Sequence, residues 1–194
     1  MTAKIEIAEL INGWAFFRDQ ERWDELLDVF HDDGSISLSW IDGPYAQFVE
    51  ASKRIAARGG SVLKHNLGVP MISVHGRRAL AEVNVTIMVR STTPAGEVDA
   101  TSFARFFDLV ESRGETWKIL RRVAIYEKDR ADPVDQPALP AAFFEGLDEF
   151  PHELRFLGKA MKAGGIDLSK TVVLDKSPAL EKLYRDGVAW LAQG

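Results

Sequence analysis

Ser61-Val62-Leu63-Lys64-His65-Asn66-Leu67-Gly68-Val69-Pro70 reads as a strand closed off by Gly68 and Pro70, with a histidine inside an apolar alternation. A period of two puts Leu63, His65 and Leu67 on one side, so the imidazole sits on the apolar face. A lone histidine there is most simply a core side chain bonded to a carbonyl. The sharper reading is a general base in a cavity, which requires an orienting carboxylate and a cationic or phenolic partner. The surrounding chain offers both.

Upstream, Ile5, Ile7, Ala8, Ile11, Ala15 and Phe16, with Trp14 beside them, fall mainly at helical spacing and predict a helix to about Arg18. Asp19 then precedes a second helical pattern, Trp23 to Phe30, and is either its N-cap or a carboxylate turned into a cavity at the helix joint. His31-Asp32-Asp33-Gly34 reads as a solvated turn without metal-ligand spacing. Ser35 to Trp40 alternates as a short strand with Ile36, Leu38 and Trp40 on one face. Gly43-Pro44 opens a third helix through about Arg58, which Gly59-Gly60 ends.

Downstream, Met71 to Val74, Ala79 to Thr92, Val98 to Val110 and Trp117 to Tyr126 read as strands joined by tight turns. On the last, Lys118, Leu120, Arg122, Ala124 and Tyr126 share a side by strict alternation. A block of helices followed by long antiparallel strands gives an α+β fold, a curved sheet with helices on one face. From Lys128 the chain turns rich in Asp and Pro. Two amphipathic stretches follow, Ala141 to Ala163 and Ser177 to Ala192, the latter opened by an N-cap Ser177 and Pro178.

The 194 residues, 46% hydrophobic with 11 Phe and 5 Trp, suffice for one aromatic-rich core plus an appendage. A net charge of −5 argues against nucleic acid as partner. The absence of cysteine excludes disulfides, thiolate zinc sites and a cysteine nucleophile. Met1 to Glu6 carries no apolar leader core, and no run reaches the ~18–20 apolar residues of a membrane span. The expectation is a soluble, cytoplasmic protein. No metal or organic cofactor is signalled.

Three stretches carry a resemblance. They are Phe16-Phe17-Arg18-Asp19-Gln20 through Phe30-His31-Asp32-Asp33, Leu63-Lys64-His65-Asn66, and Gly114-Glu115-Thr116-Trp117-Lys118-Ile119-Leu120-Arg121-Arg122. In this order they resemble the SnoaL-like branch of the NTF2-like superfamily, within it the group of scytalone dehydratase and hexachlorocyclohexane dehydrochlorinase. The resemblance implies an NTF2-like cone (an α+β barrel) enclosing a cavity over residues 1–130. Residues 131–194 would form a helical C-terminal extension, packing on the barrel or on a neighbouring subunit.

It further implies His65 as general base, Asp19 as its orienting partner, and Arg122 or Tyr126 facing the charge that develops on the substrate. Trp14, where the dehydrochlorinase has a cavity lysine, Trp40 and Asn84 would line the substrate site. The function implied is a cofactor-independent lyase or dehydratase acting on a small aromatic or polycyclic molecule. Retro-aldol-type carbon–carbon cleavage, such as deformylation of an aromatic diol, is a close variant. The alternative is a non-catalytic ligand-binding or assembly module, like the small subunit of ring-hydroxylating dioxygenases. Members of the group associate, and Phe103, Phe107, Val83, Val85 and Ile87 exceed what one small barrel needs. The expectation is therefore a homo-oligomer, a trimer before a dimer.

Overall fold

Helix α1 (Ala3–Asp19) buries Ile7, Ile11, Trp14, Ala15 and Arg18 along one face, the spacing of a helix laid against a sheet. The computed structural model describes residues 3–59 and 61–194. Met1, Thr2 and the second glycine of the Gly59-Gly60 cap lie outside the described residues. After α1 come α2 (Trp23–Asp28), β1 (Phe30–Ser37), β2 (Asp42–Pro44) and α3 (Tyr45–Arg58). Next are β3 (Ser61–Leu67), β4 (Met71–His75) and three long strands, β5 (Arg78–Thr93), β6 (Gly96–Arg113) and β7 (Thr116–Pro133). Short 3-10 turns then lead to α4 (Arg155–Ala163), β8 (Val173–Leu174) and α5 (Pro178–Leu191).

The strands form one open sheet in the order β2-β1-β7-β6-β5-β3, with β4 also on β5 and β8 also on β7. The expected α+β cone is present: α1 and α3 pack on the concave face, and a single apolar cluster joins them to β5, β6 and β7. The pairs are antiparallel except β1–β7 and β7–β8. His31 to Gly34, expected as a turn, belongs to β1, whose register with β7 shifts between Phe30 and Ser35.

Strict alternation fails on β7. Leu109 faces Arg121 but Val110 faces Ile119, so a bulge absorbs Leu120. Ile119 and Arg122 therefore share the buried face, although alternation sets them on opposite sides. Arg121 is exposed.

The tail covers the sheet from both sides. On the concave side Leu154, Leu157 and Met161 join the main cluster, and the Asp129 carboxylate of β7 accepts from the backbone N–H of Phe156 and Leu157 at 2.6 and 2.9 Å. That carboxylate satisfies free N–H groups in the first turn of α4. On the convex side α5 lies over Phe107, Ile125 and Leu80. Two groups of residues counted toward an oligomer surface are thus accounted for within one chain. Val83, Val85 and Ile87 face the helices, and Phe107 lies under α5.

Candidate active site

Asp19 is the last residue of α1, and β3 is the edge strand beside it. His65 pairs with Ile87 of β5. Its backbone N–H points away from the sheet, where an edge strand lacks a partner. Asp19 supplies one. Oδ2 accepts the His65 backbone N–H at 2.9 Å, while Oδ1 takes the ring Nδ1 at 2.7 Å. Lys64 Nζ lies 3.3 Å from Oδ2. The capping alternative does not hold, because α2 starts after Arg22 and has no side-chain cap.

The Asp19 and His65 side chains are 2% and 8% exposed. Burial pushes the Asp19 carboxyl up, but hydrogen bonds and charge from His65, with Lys64, outweigh it and hold the group below the ordinary carboxylate value. Burial is the largest influence on His65 and lowers it, Asp19 pulls it up, and with the Arg18 and Arg122 charges pushing the same way as burial the imidazole ends below its ordinary value. The pair is therefore a carboxylate and a neutral imidazole. Asp19 claims the Nδ1 proton, and the Nε2 lone pair has no partner among the described residues.

Trp14 meets the imidazole edge-on, ring centroids 5.3 Å apart, and it also packs on Phe106 and Phe48. Arg122 lies against both Trp14 and Phe106, its guanidinium carbon 4.6 and 4.4 Å from the ring centroids. Two of its nitrogens bond Asp108 at 2.7 Å each, and Nη1 is buried without a partner among the described residues. Tyr126 is buried on the concave face, its hydroxyl accepting the Ser39 N–H at 2.9 Å. Burial pushes its phenol up, so it stays protonated.

Trp40 is half-buried, with its ring 5.5 Å from Phe48, one aromatic ring removed from Trp14. Asn84 is a correction: it is exposed on the convex face between the inward-facing Val83 and Val85, so it cannot line this site. Sequence reasoning missed Asp108 and the buried Arg18. Asp108 shares strand parity with Ala104 and Phe106, a signal that it faces inward opposite Arg122.

Among the described residues no group of three or more histidines or acids could hold a metal ion. No helix of the described residues is long and apolar enough to cross a membrane. An apolar cavity of about 290 Å³ lies farther along the concave face, between the β5–β6 hairpin and the tail. His65 is not on its wall.

Residues 1–123 match the SnoaL-like domain. A PEP2-like protein of Fusarium vanettenii is 28% identical over 97% of this chain and 85% of its own length. Pea pathogenicity protein 2 of the same fungus is 26% identical over 79% of this chain and 67% of its own. Among solved structures, a type 2 hexachlorocyclohexane dehydrochlorinase superposes with TM-score 0.61 at 12% identity, over 72% of this chain and 95% of that one. A candidate scytalone dehydratase from Novosphingobium aromaticivorans gives 0.52 at 18% identity, over 69% and 89%. Such identities show a shared fold, and the domain match covers well over half of the sequence: the chain belongs to the SnoaL-like family.

Proposed function

We propose that this protein is a cofactor-independent lyase acting on a small, largely apolar or aromatic molecule. The observation that carries this reading is the two-pronged grip of Asp19 on His65, which fixes a neutral imidazole with its Nε2 lone pair unclaimed. In β-elimination, Nε2 takes a proton from carbon. The C–H electron pair becomes the new C=C bond, and the C–O bond breaks, with its pair leaving on oxygen. Asp19 stabilises the imidazolium, which can return the proton to the departing oxygen as water leaves. Arg122 Nη1 is the donor available for charge developing on an enolate or leaving oxygen. Deprotonating a hydroxyl instead would start a retro-aldol cleavage with the same base.

A direct test incubates the protein with aromatic alcohols and diols in D₂O and follows loss of water or formaldehyde, and deuterium uptake, by mass spectrometry. His65→Gln should reduce turnover by roughly 10²–10⁴-fold, the range for losing a general base. Turnover unchanged in that variant would sink the reading.

A ligand-binding module without chemistry is the second reading. It is favoured by the Trp14 ring packed against His65 and by a cavity that does not include the imidazole. Saturable binding of such compounds without turnover would select it.

A further inference from the structure

The cavity between the β5–β6 hairpin and the tail is not part of the dyad. Its floor is Val89, Val98 and Ala100 of the concave sheet face, and its roof is Phe143, Phe156 and Ala160 of the tail. Half of its wall thus comes from residues beyond 123, outside the span that matches the family.

The roof is held in place. Asp129 bonds the first turn of α4, and Lys159 Nζ donates to the carbonyls of Phe143 and Glu145 at 2.6 and 2.7 Å, tying the preceding turn to the helix. The Phe143 and Phe156 rings stack with centroids 6.4 Å apart. Small side chains keep the interior open.

Polar groups on the wall are committed elsewhere. Thr93 Oγ1 donates to the Gly96 carbonyl and accepts the Ala95 N–H, and Lys159 gives two of its three N–H donors to carbonyls. A ligand carboxylate would give up its water for at most the one remaining Lys159 N–H, and a ligand cation would meet the Lys159 charge. The volume, about 290 Å³, is near the lower bound of ~300 Å³ for small-molecule pockets. Position adds a direction: Val89 faces Leu63, one same-face step before His65 on β3, and such a step is about 7 Å.

We infer that this cavity binds the apolar arm, an aryl or branched aliphatic group, of an uncharged molecule whose other end reaches His65. The second half of this statement rests on the dyad reading proposed above. The cavity itself does not.

The test uses the full chain and 2-naphthol, which is neutral at pH 7, followed by methyl NMR and calorimetry. Saturable shifts centred on the methyls of Val89, Val98, Ala100 and Ala160 are expected. Ala160→Phe, which fills the space, should weaken binding about tenfold or more, a loss of ~1.4 kcal/mol per tenfold. Should that variant fail to fold, Ala100→Val narrows the floor more gently and should also weaken binding. Binding retained in His65→Gln supports the cavity whatever the dyad does, and turnover then reports on the dyad alone. Shifts scattered over the surface, binding untouched by the filling variants, loss of binding in His65→Gln, or equal binding of the 2-naphthoate anion would each overturn the inference.

Discussion

Asp108 and Arg122 face each other across β6 and β7, each 0% exposed, joined by two hydrogen bonds of 2.7 Å. Burial pushes the Asp108 carboxyl up against the pull of the guanidinium. The pair sets the plane of Arg122 between Trp14 and Phe106 and leaves only Nη1 without a partner among the described residues. A lone guanidinium could not persist in this setting, so Asp108 is what allows a cation to sit near His65 at all.

Asp108→Asn should therefore cost about 3–5 kcal/mol, because it leaves an uncompensated buried charge. Replacing both residues, Asp108→Leu with Arg122→Met, should recover most of that loss. Urea unfolding of the two variants checks this. A cost below about 1 kcal/mol for Asp108→Asn would mean that the charge escapes to solvent.

The dyad predicts a pH dependence of stability. His65 is lowered below its ordinary value, so the native state binds fewer protons than the unfolded chain. Its contribution is full above the unfolded value of about 6.5 and is lost as pH falls through the lower folded value. Asp19, also depressed, adds stability above about 3.9 that is lost below it. Melting temperature should fall from pH 7 toward 5 and again in stronger acid. His65→Gln should flatten the first limb, and a limb unchanged in that variant would contradict a buried neutral imidazole.

Trp14 fills the space beside His65, touching it, Phe48 and Phe106. Trp14→Ala should cost about 3–5 kcal/mol through the cavity left behind. Millimolar indole should bind that cavity and restore part of the melting temperature, measured by thermal shift. Indole that stabilises wild type and variant alike would show that the ring position had collapsed.

The parts of the site legible in the sequence are those set by local pattern. Helical spacing set Trp14 beside the apolar residues of α1 and the resemblance carried it to the site, while the alternation of β3 placed His65 on the apolar face. Choosing between the two readings of Asp19 needed more, since capping and cavity roles share one sequence signature. Asn84 shows the opposite case: alternation along β5 already set it opposite Val83 and Val85, and the resemblance pointed inward. The β7 bulge was illegible, because one extra residue reverses parity without any glycine to mark it. Asp108 carries two opposed signals: an acid on a strand usually faces water, while its parity with Ala104 and Phe106 points inward, and Arg122 across β6 and β7 is the partner that lets parity win.

The tail's convex anchor gives the last prediction. Gly187 sits inside α5, where glycine costs about 1 kcal/mol relative to alanine. The reason it suits this position is distance: a Cβ there would meet Phe107 Cζ at 2.6 Å and Cε1 at 2.8 Å. Phe107 is buried between α5 and the sheet and cannot simply swing away. Overpacking of this kind typically costs about 1–3 kcal/mol, which outweighs the gain in helix propensity. Gly187→Ala should therefore lift α5. It should raise amide exchange across Pro178–Leu191 and weaken the polar contacts of the same face, where Tyr184 donates to Glu82 at 2.6 Å and Arg105 holds Asp175 at 3.0 Å. The concave site should keep its exchange protection, since α4 and α1, not α5, cover it. Hydrogen exchange by mass spectrometry reads both faces at once. A Gly187→Ala variant with slower exchange in α5 than wild type would show that the helix does not rest on Phe107.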